Sequence, residues 1–240
     1  MSELKFYGDL EREEYLYDTE IGKKRIEEID KIYDKIKNYL GKVILDIGCG
    51  AGLFSFYFEQ KGHKVIGIDI SKELIKEAMR IKNKYSFKTK FLLANIFELK
   101  KLKIKIDSAI ILGNTLWEFS PKDFVLLVKN LKNMASEKFY LLIQYRSLIY
   151  DIVYRNALKT NFPYKNVAEI FEKYDDFNAR FYWRYVDLTY TKSSTSKSFV
   201  GWSVAFLEAI MEALGFKLVE RIESNTIYTD WLDVYKLETI

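Results

Sequence analysis

The run Val43-Ile44-Leu45-Asp46-Ile47-Gly48-Cys49-Gly50-Ala51-Gly52 carries the strongest structural signal in this chain. An apolar strand leads into alternating glycines, and the apolar segment 53–58 that follows predicts a helix. Glycines let the backbone turn tightly beneath a ligand because no Cβ blocks its approach, and the first N–H groups of the helix point to the same place. The run therefore predicts a strand, a ligand-binding turn and a helix.

A second predicted strand, Lys64-Val65-Ile66-Gly67-Ile68, ends in Asp69. Asp69 follows Gly48 by 21 positions, close to the spacing of about 20 at which a βαβ unit offers a carboxylate to ribose hydroxyls. A nucleoside-bearing ligand is therefore the first hypothesis. The alternative is a purely structural turn, and the acid at the end of the next strand argues against it.

The order of the glycines separates two classes of nucleoside cofactor. The dinucleotide fingerprint is G-x-G-x-x-G, whereas this chain reads G-x-G-x-G and has Leu53 at the third position of that pattern. Asp46 would repel a pyrophosphate but not a sulfonium nucleoside that carries an ammonium group. Here the sequence resembles the class I S-adenosylmethionine (SAM)-dependent methyltransferases, whose signature D-x-G-C-G-x-G is matched by residues 46–52.

The resemblance extends over residues 40–145 and implies a cofactor site. Asp69 matches the ribose-binding acid, residues 91–96 resemble the third strand and the turn at the adenine edge, and residues 107–114 resemble the fourth strand. Tyr17 lies where relatives often fold a tyrosine-bearing arm over the cofactor, with lid packing as the alternative. The implied cofactor is SAM, with S-adenosylhomocysteine (SAH) as product, and the implied binding residues are Asp46, Gly48, Cys49, Gly50, Gly52, Asp69, Ile70, Asn95, Ile96, Leu112, Asn114 and Tyr17.

Alternating strand and helix signals predict an α/β fold with a doubly wound parallel sheet. The predicted strands lie near 43–48, 64–69, 89–94, 108–113, 138–144, 216–223 and 230–238, and the predicted helices near 21–40, 53–61, 72–83, 121–134 and 200–214. The resemblance implies a mostly parallel, seven-stranded Rossmann-like sheet with an antiparallel edge strand.

Four regions are expected along the chain. They are an N-terminal arm and helix (1–41), a SAM-binding core (42–145), an aromatic-rich inserted lid (146–198) and a C-terminal completion of the sheet (199–240). The lid is inferred because its aromatic density exceeds the 16% average of the chain and its length exceeds that of an ordinary connection. A dimerisation surface is the competing interpretation.

Methyl transfer from a sulfonium needs alignment and exclusion of water, and it needs a general base only when the nucleophile holds a proton. Three residues are candidates on the acceptor side. Glu118 is a base, a cation binder or an exposed helix-cap carboxylate; Tyr145 follows the fifth strand; and Arg146 grips a substrate carboxylate or pairs with Asp151. Cys49 is the sole cysteine, so neither a disulfide nor a metal site is expected.

Composition limits the partners. The chain has 240 residues, is 49% hydrophobic and carries a net charge of +4. The positive charge is spread along the sequence, which argues against nucleic-acid binding. The chain has neither an apolar signal core nor a membrane-length apolar run, so a cytoplasmic protein with no membrane partner is expected. Its richness in Lys, Glu, Ile and Tyr favours a thermophilic source, and His63, the only histidine, is expected in a solvated loop.

The sequence thus predicts a SAM-dependent methyltransferase that acts on a nitrogen or oxygen atom of a small or medium-sized acceptor. The segment Gly113-Asn114-Thr115 resembles small-molecule N-methyltransferases, and the N-P-P-Y or D-P-P-Y tetrad of enzymes that methylate base amines is absent. The alternatives are a protein or tRNA methyltransferase, a NAD-binding oxidoreductase, and a non-catalytic SAM-binding subunit.

Overall fold

A computed structural model describes residues 16–113, 115–147, 152, 160–164, 167–176, 178–189, 194–223 and 231–238. The helices of this part of the chain are α1 (Glu20–Leu40), α2 (Leu53–Gln60), α3 (Lys72–Tyr85), α4 (Pro121–Met134), α5 (Val204–Ala213) and the 3₁₀ helices Ile96–Lys101 and Thr115–Glu118. The strands are β1 (Val43–Ile47), β2 (Lys64–Asp69), β3 (Lys90–Leu93), β4 (Ile106–Ile111), β5 (Ala135–Tyr145), β6 (Asn161–Tyr164), β7 (Val167–Asp175), β8 (Arg180–Asp187), β9 (Thr195–Val200), β10 (Phe216–Glu223) and β11 (Trp231–Leu237).

The main sheet has seven strands in the order β10-β11-β5-β4-β1-β2-β3. Strands β1 to β5 pair in parallel, and β11 lies antiparallel between β5 and β10. The chain runs outward from β1 to β3 and then crosses back to β4 on the other side of β1. Ligands of such sheets bind at the carboxyl ends of the strands beside this switch point, which is where the glycine turn lies. The predicted fold class is confirmed.

Local signals explain where the helices begin and end. In α1, the Oγ1 of Thr19 accepts the N–H of Gly22 at 2.9 Å, and the helix ends at Gly41, whose φ is 64°. In α4, the Oγ of Ser120 accepts the N–H of Asp123, and Pro121 occupies the first turn. These caps satisfy N–H groups that lack partners within the helix.

The sheet separates two apolar layers. On one face Leu45 packs with side chains of α4 and α5, among them Phe124 and Leu207. On the other face Ile44 packs with side chains of α1 and α2, among them Phe58. Burial on both faces suits the continuous apolar runs of parallel strands and supplies about 1.5–3 kcal/mol for each large side chain.

A second, antiparallel sheet has the strand order β6-β7-β8-β9. Phe181, Trp183 and Tyr185 alternate along β8 and are buried together on one face. The sheet lies in the aromatic-rich part of the chain, and its assignment as a lid stays a prediction. Of the helices that the structure describes, none combines the length and apolarity needed to cross a membrane.

His63 lies in the predicted loop before β2, and its ring has two hydrogen-bond partners. Its ring is partly buried between α1 and the turn before β2. Its Nδ1 lies 2.6 Å from the carbonyl oxygen of Gly41, and its Nε2 lies 3.2 Å from the Tyr33 hydroxyl. Because a carbonyl oxygen only accepts, Nδ1 carries the proton, and His63 fastens α1 to the sheet rather than lying free in solvent.

Candidate functional site

Three glycines form the turn after β1, and they differ in what surrounds them. Gly48, Gly50 and Gly52 have φ values of 69°, 54° and 88°, in the left-handed region that favours glycine. A Cβ on Gly48 would lie 2.3 Å from Cγ2 of Thr115, and one on Gly52 would lie 2.7 Å from the ring of Phe91. A Cβ on Gly50 would meet only one methyl carbon, at 4.0 Å. The first and third glycines therefore permit packing, while the middle glycine lies beside open space.

Asp69 lies against this turn. Its Oδ2 accepts the backbone N–H of Gly50 at 2.8 Å, and its Oδ1 accepts the backbone N–H of Ser71 at 2.8 Å. A carboxylate offers about four acceptor positions, so these two bonds leave capacity for the hydroxyls of a ligand. The side chain is partly exposed. The structure thus brings together the glycine turn and the acid that the sequence paired with it.

Asp46 is buried within β1 beneath the same turn. Its Oδ2 accepts a hydrogen bond from the hydroxyl of Ser55 at 2.5 Å. Burial raises the pKa of Asp46 from 3.8 to about 7; the Ser55 hydrogen bond opposes this rise and the charge of Asp69 adds to it. A positively charged ligand nearby would favour the ionised carboxylate.

Cys49 is a small buried side chain, not a nucleophile. Burial raises the pKa of its thiol well above the ordinary value, with further contributions from Asp46 and Asp69. The thiol is therefore neutral, and thiols react as thiolates. A Cβ on Gly67 would lie only 2.9 Å from the Sγ of Cys49, so the sulfur packs closely against that glycine. Cys49 fills the space between the turn and β2.

The ends of β2 and β3 form an apolar rim next to Asp69. Ile70 is 72% exposed, and Asn95, two residues after β3, is also exposed. The Oδ1 of Asn95 accepts the N–H of Phe97 at 3.1 Å and so begins a 3₁₀ helix. Ile96 is buried, and its carbonyl oxygen accepts from the side chain of Asn130. An exposed isoleucine at a ligand edge suits one face of a planar base.

The segment after β4 packs behind the glycine turn. Leu112 is buried, and its carbonyl oxygen accepts the hydroxyl of Thr115 at 2.7 Å. The N–H of Gly113 donates to Oε1 of Gln144 at 3.2 Å, which ties the segment to β5. The predicted cofactor-binding residue Asn114 lies outside the described residues.

The acceptor-side candidates Glu118 and Arg146 both accept hydrogen bonds at their backbone carbonyl oxygens. The exposed Glu118 accepts a hydrogen bond at its carbonyl oxygen from the guanidinium of Arg180, at 3.1 Å. The partly buried Arg146 accepts one at its carbonyl oxygen from the indole N–H of Trp117, at 2.9 Å. Asp151, the alternative partner predicted for Arg146, lies outside the described residues.

The structure does not bring Tyr145 to the site. Its side chain is fully buried, and its hydroxyl donates to Oδ2 of Asp233 at 2.9 Å. Tyr235 donates to the same oxygen at 3.1 Å, and Arg221 contacts both carboxylate oxygens. Burial and the charge of Asp233 raise the pKa values of both tyrosine hydroxyls. This arrangement joins β5, β10 and β11 and gives the Tyr145 hydroxyl a structural partner.

Tyr17 lies in a cluster of aromatic rings. Its hydroxyl accepts from the side chain of Gln60 at 2.7 Å, and its ring contacts the rings of Phe56, Tyr85 and Phe87 edge-on. These groups, apart from Phe56, lie where α2 and α3 end, toward the amino ends of β2 and β3. These contacts fix the Tyr17 ring against α2 and α3, and its contact with the cofactor stays a prediction.

Two residues of this region were missed in the sequence. Ser55 and Thr115 support Asp46 and Gly48 from behind. A serine among the buried aromatic residues of α2 was the available signal, because a buried hydroxyl requires a partner. The structure thus assembles a turn open at Gly50, the partly exposed Asp69, the exposed Ile70 and the buried carboxylate of Asp46.

Comparison with known proteins gives the same picture. Residues 39–197 match the family model described as a methyltransferase domain. A structure of a SAM-dependent methyltransferase from Clostridium acetobutylicum ATCC 824 has a TM-score of 0.69 at 18% identity, covering 97% of this chain and 96% of that one. At that identity the similarity concerns the fold.

Curated relatives match over shorter stretches. The malonyl-[acyl-carrier protein] O-methyltransferase of Hamiltonella defensa is 44% identical over 64 residues, 27% of this chain and 23% of that protein. The 18S rRNA (guanine-N(7))-methyltransferase bud23 of Schizosaccharomyces pombe is 34% identical over 74 residues, 31% of this chain and 28% of that protein. The chain thus matches about a quarter of the length of these relatives.

Proposed function

Because this chain belongs to the family of SAM-dependent methyltransferases, with SAM as its cofactor, we propose that it methylates a nitrogen or oxygen atom of a small or medium-sized molecule. When bound, SAM supplies an activated methyl group on a sulfonium, and SAH remains as product. Membership of this family removes the alternative of a NAD-binding oxidoreductase, in agreement with Leu53 at the place of the third glycine.

We assign the cofactor side to four residues of the first βαβ unit. Asp69 accepts from the ribose hydroxyls, and Gly50 lets the ligand approach the backbone because nothing but a methyl carbon at 4.0 Å lies beside it. Ile70 covers one face of the adenine. Asp46 faces the ammonium group, whose positive charge offsets the cost of ionising a buried carboxylate.

The acceptor side is inferred from how the second sheet docks. The ring of Phe199 on β9 contacts that of Trp117 at 5.4 Å, and Arg180 on β8 donates to the carbonyl oxygen of Glu118. Both contacts are made to the 3₁₀ helix that begins with Thr115, directly behind Gly48. This docking is the observation that carries the proposal, because an aromatic sheet beside the cofactor edge excludes water from a small acceptor.

Within this arrangement, Glu118 and Arg146 are our candidates for contact with the acceptor. A carboxylate suits an amine or removes a proton from a hydroxyl, and a guanidinium suits an acidic acceptor through paired hydrogen bonds.

A screen of metabolites with radiolabelled SAM tests the proposal. We expect label in a compound of low molecular mass, with SAH formed in equal amount. Glu118→Gln and Arg146→Lys variants should lower the rate with the identified acceptor more than they weaken SAH binding. Label found only in protein or RNA would refute the small-molecule assignment.

A second candidate is methylation of an RNA. It is favoured by the partial match to the rRNA methyltransferase. RNA binding through phosphates weakens steeply as salt rises. Salt-sensitive retention of labelled tRNA or rRNA, together with methylation of it, would support this candidate over the first.

A further inference from the structure

Ser55 is a buried polar side chain in an apolar helix. It is fully buried in α2, and its sequence neighbours Phe54 and Phe56 are buried as well. A hydroxyl in such surroundings costs free energy unless it has a hydrogen-bond partner. Its partner is Oδ2 of Asp46, at 2.5 Å. The contact links the first turn of α2 to the middle of the sheet, directly under the glycine turn.

The surroundings of Asp46 otherwise oppose its negative charge. Desolvation within β1 disfavours the ionised form, and so does the charge of Asp69 at the end of β2. Cys49, in the turn between them, has a neutral thiol. The hydrogen bond from Ser55 acts in the opposite direction, because a donor to a carboxylate stabilises its ionised form.

We propose that Ser55 is a positioning residue for the cofactor: its hydroxyl orients the carboxylate of Asp46 and favours its ionised form, which receives the ammonium group of the amino-acid portion of SAM and SAH. The bond from Ser55 uses one acceptor position of Oδ2, which leaves both positions of Oδ1 for the ammonium group. This inference rests on the proposed function, through the assignment of Asp46.

A pair of ligands separates this role from a general effect on the fold. SAH carries the ammonium group, whereas 5′-methylthioadenosine shares the adenosine and lacks the amino-acid portion. Calorimetric titration of both ligands into the wild type and Ser55→Ala should be done at about pH 6, 7 and 9, the range around the raised Asp46 pKa. The protonation of the ligand itself changes with pH in the same way for both proteins. The ratio of the Kd of Ser55→Ala to that of the wild type therefore reflects only the protein.

For SAH we expect Ser55→Ala to weaken binding about tenfold at about pH 6 and about fivefold at about pH 7, the effect of raising a titration midpoint near 7 by about one pH unit. The deficit should shrink toward about pH 9, where Asp46 ionises without help. Affinity for 5′-methylthioadenosine should stay within about twofold. Ser55→Thr, which keeps the hydroxyl, should restore the wild-type pH profile.

Ser55→Cys provides a second test in case Ser55→Ala does not fold. Ser55→Cys fills the site with a group that is only a weak donor, and it should shift the SAH profile in the same direction as alanine. Equal losses for both ligands at every pH, or no loss for either, would overturn the role of Ser55. Failure of the wild type to bind either ligand would instead overturn the proposed function.

Discussion

Thr115 occupies the space that a side chain on Gly48 would need. Its Cγ2 would lie 2.3 Å from a Cβ on that glycine, and its own hydroxyl is fixed to the carbonyl oxygen of Leu112 at 2.7 Å. The turn after β1 and the segment after β4 are therefore in direct contact across the switch point of the sheet. A substitution in either segment therefore strains the other, because protein interiors are close-packed.

This contact predicts non-additive effects on stability. Gly48→Ala should cost more than the roughly 1–2 kcal/mol of left-handed backbone strain, because its methyl group overlaps Thr115. Thr115→Ala should cost about 1 kcal/mol for the lost hydrogen bond. The double variant should cost less than the sum, by about 1 kcal/mol or more. Urea unfolding measures the three values, and strict additivity would contradict the contact.

Gly50→Ala should weaken SAH binding more than it destabilises the protein. The new methyl group enters open space, so the fold suffers only the strain of φ 54°. Gly62→Ala is the matched control, since Gly62 has φ 95°, no atom within 4 Å of its Cβ position and no place in the site. Both variants should lose about 1–2 kcal/mol of stability, but only Gly50→Ala should lose affinity. Equal SAH affinity in the two variants would remove Gly50 from the cofactor site.

Asp69→Ala should weaken SAM binding by about 1–3 kcal/mol, the scale of lost hydrogen bonds to a charged group. Asp107→Ala is its control, because Asp107 also accepts two backbone N–H groups, those of Lys42 and Val43, at the opposite edge of the sheet. The control should be destabilised yet bind SAM normally. Calorimetry that finds the same affinity in both variants would show that Asp69 does not hold the ribose.

Asp46 should make the stability of the free protein depend on pH. Its pKa is raised from 3.8 to about 7, so the folded state retains a proton that the unfolded state has lost. Stability therefore falls as pH rises from about 4 to about 7, by up to roughly 4 kcal/mol. In Asp46→Asn this fall should be smaller, while SAH affinity above neutrality should drop. Urea unfolding at both ends of the window checks the first effect, and an unchanged slope would exclude Asp46 as its source.

Tyr145→Phe should lower stability without changing SAH affinity. The variant removes one donor from the buried carboxylate of Asp233, at a cost of about 1–3 kcal/mol. Tyr235→Phe removes the other tyrosine donor and should behave alike. Thermal unfolding and SAH titration of both variants test this. Normal stability with lost activity in Tyr145→Phe would return that residue to the reaction.

The glycine turn, Asp69 and the order of strands and helices were predictable because they depend on neighbours in the chain. Glycine spacing and an apolar run define a strand, a turn and a helix locally, and the length of one βαβ unit places the acid at the end of the second strand. The N-cap of α4 followed from Ser120, Pro121 and Asp123 for the same reason.

The positions of individual side chains depend on contacts between segments that are distant in the sequence. Tyr145 turns into the core because β11 brings Asp233 beside it from 88 positions away. Tyr17 is held by aromatic rings near the ends of α2 and α3. Local pattern thus specifies the βαβ frame and its open turn. No short sequence pattern encodes the register between β1, β4 and β11. Packing between these strands therefore decided that Thr115 supports the turn and that Tyr145 lies in the core.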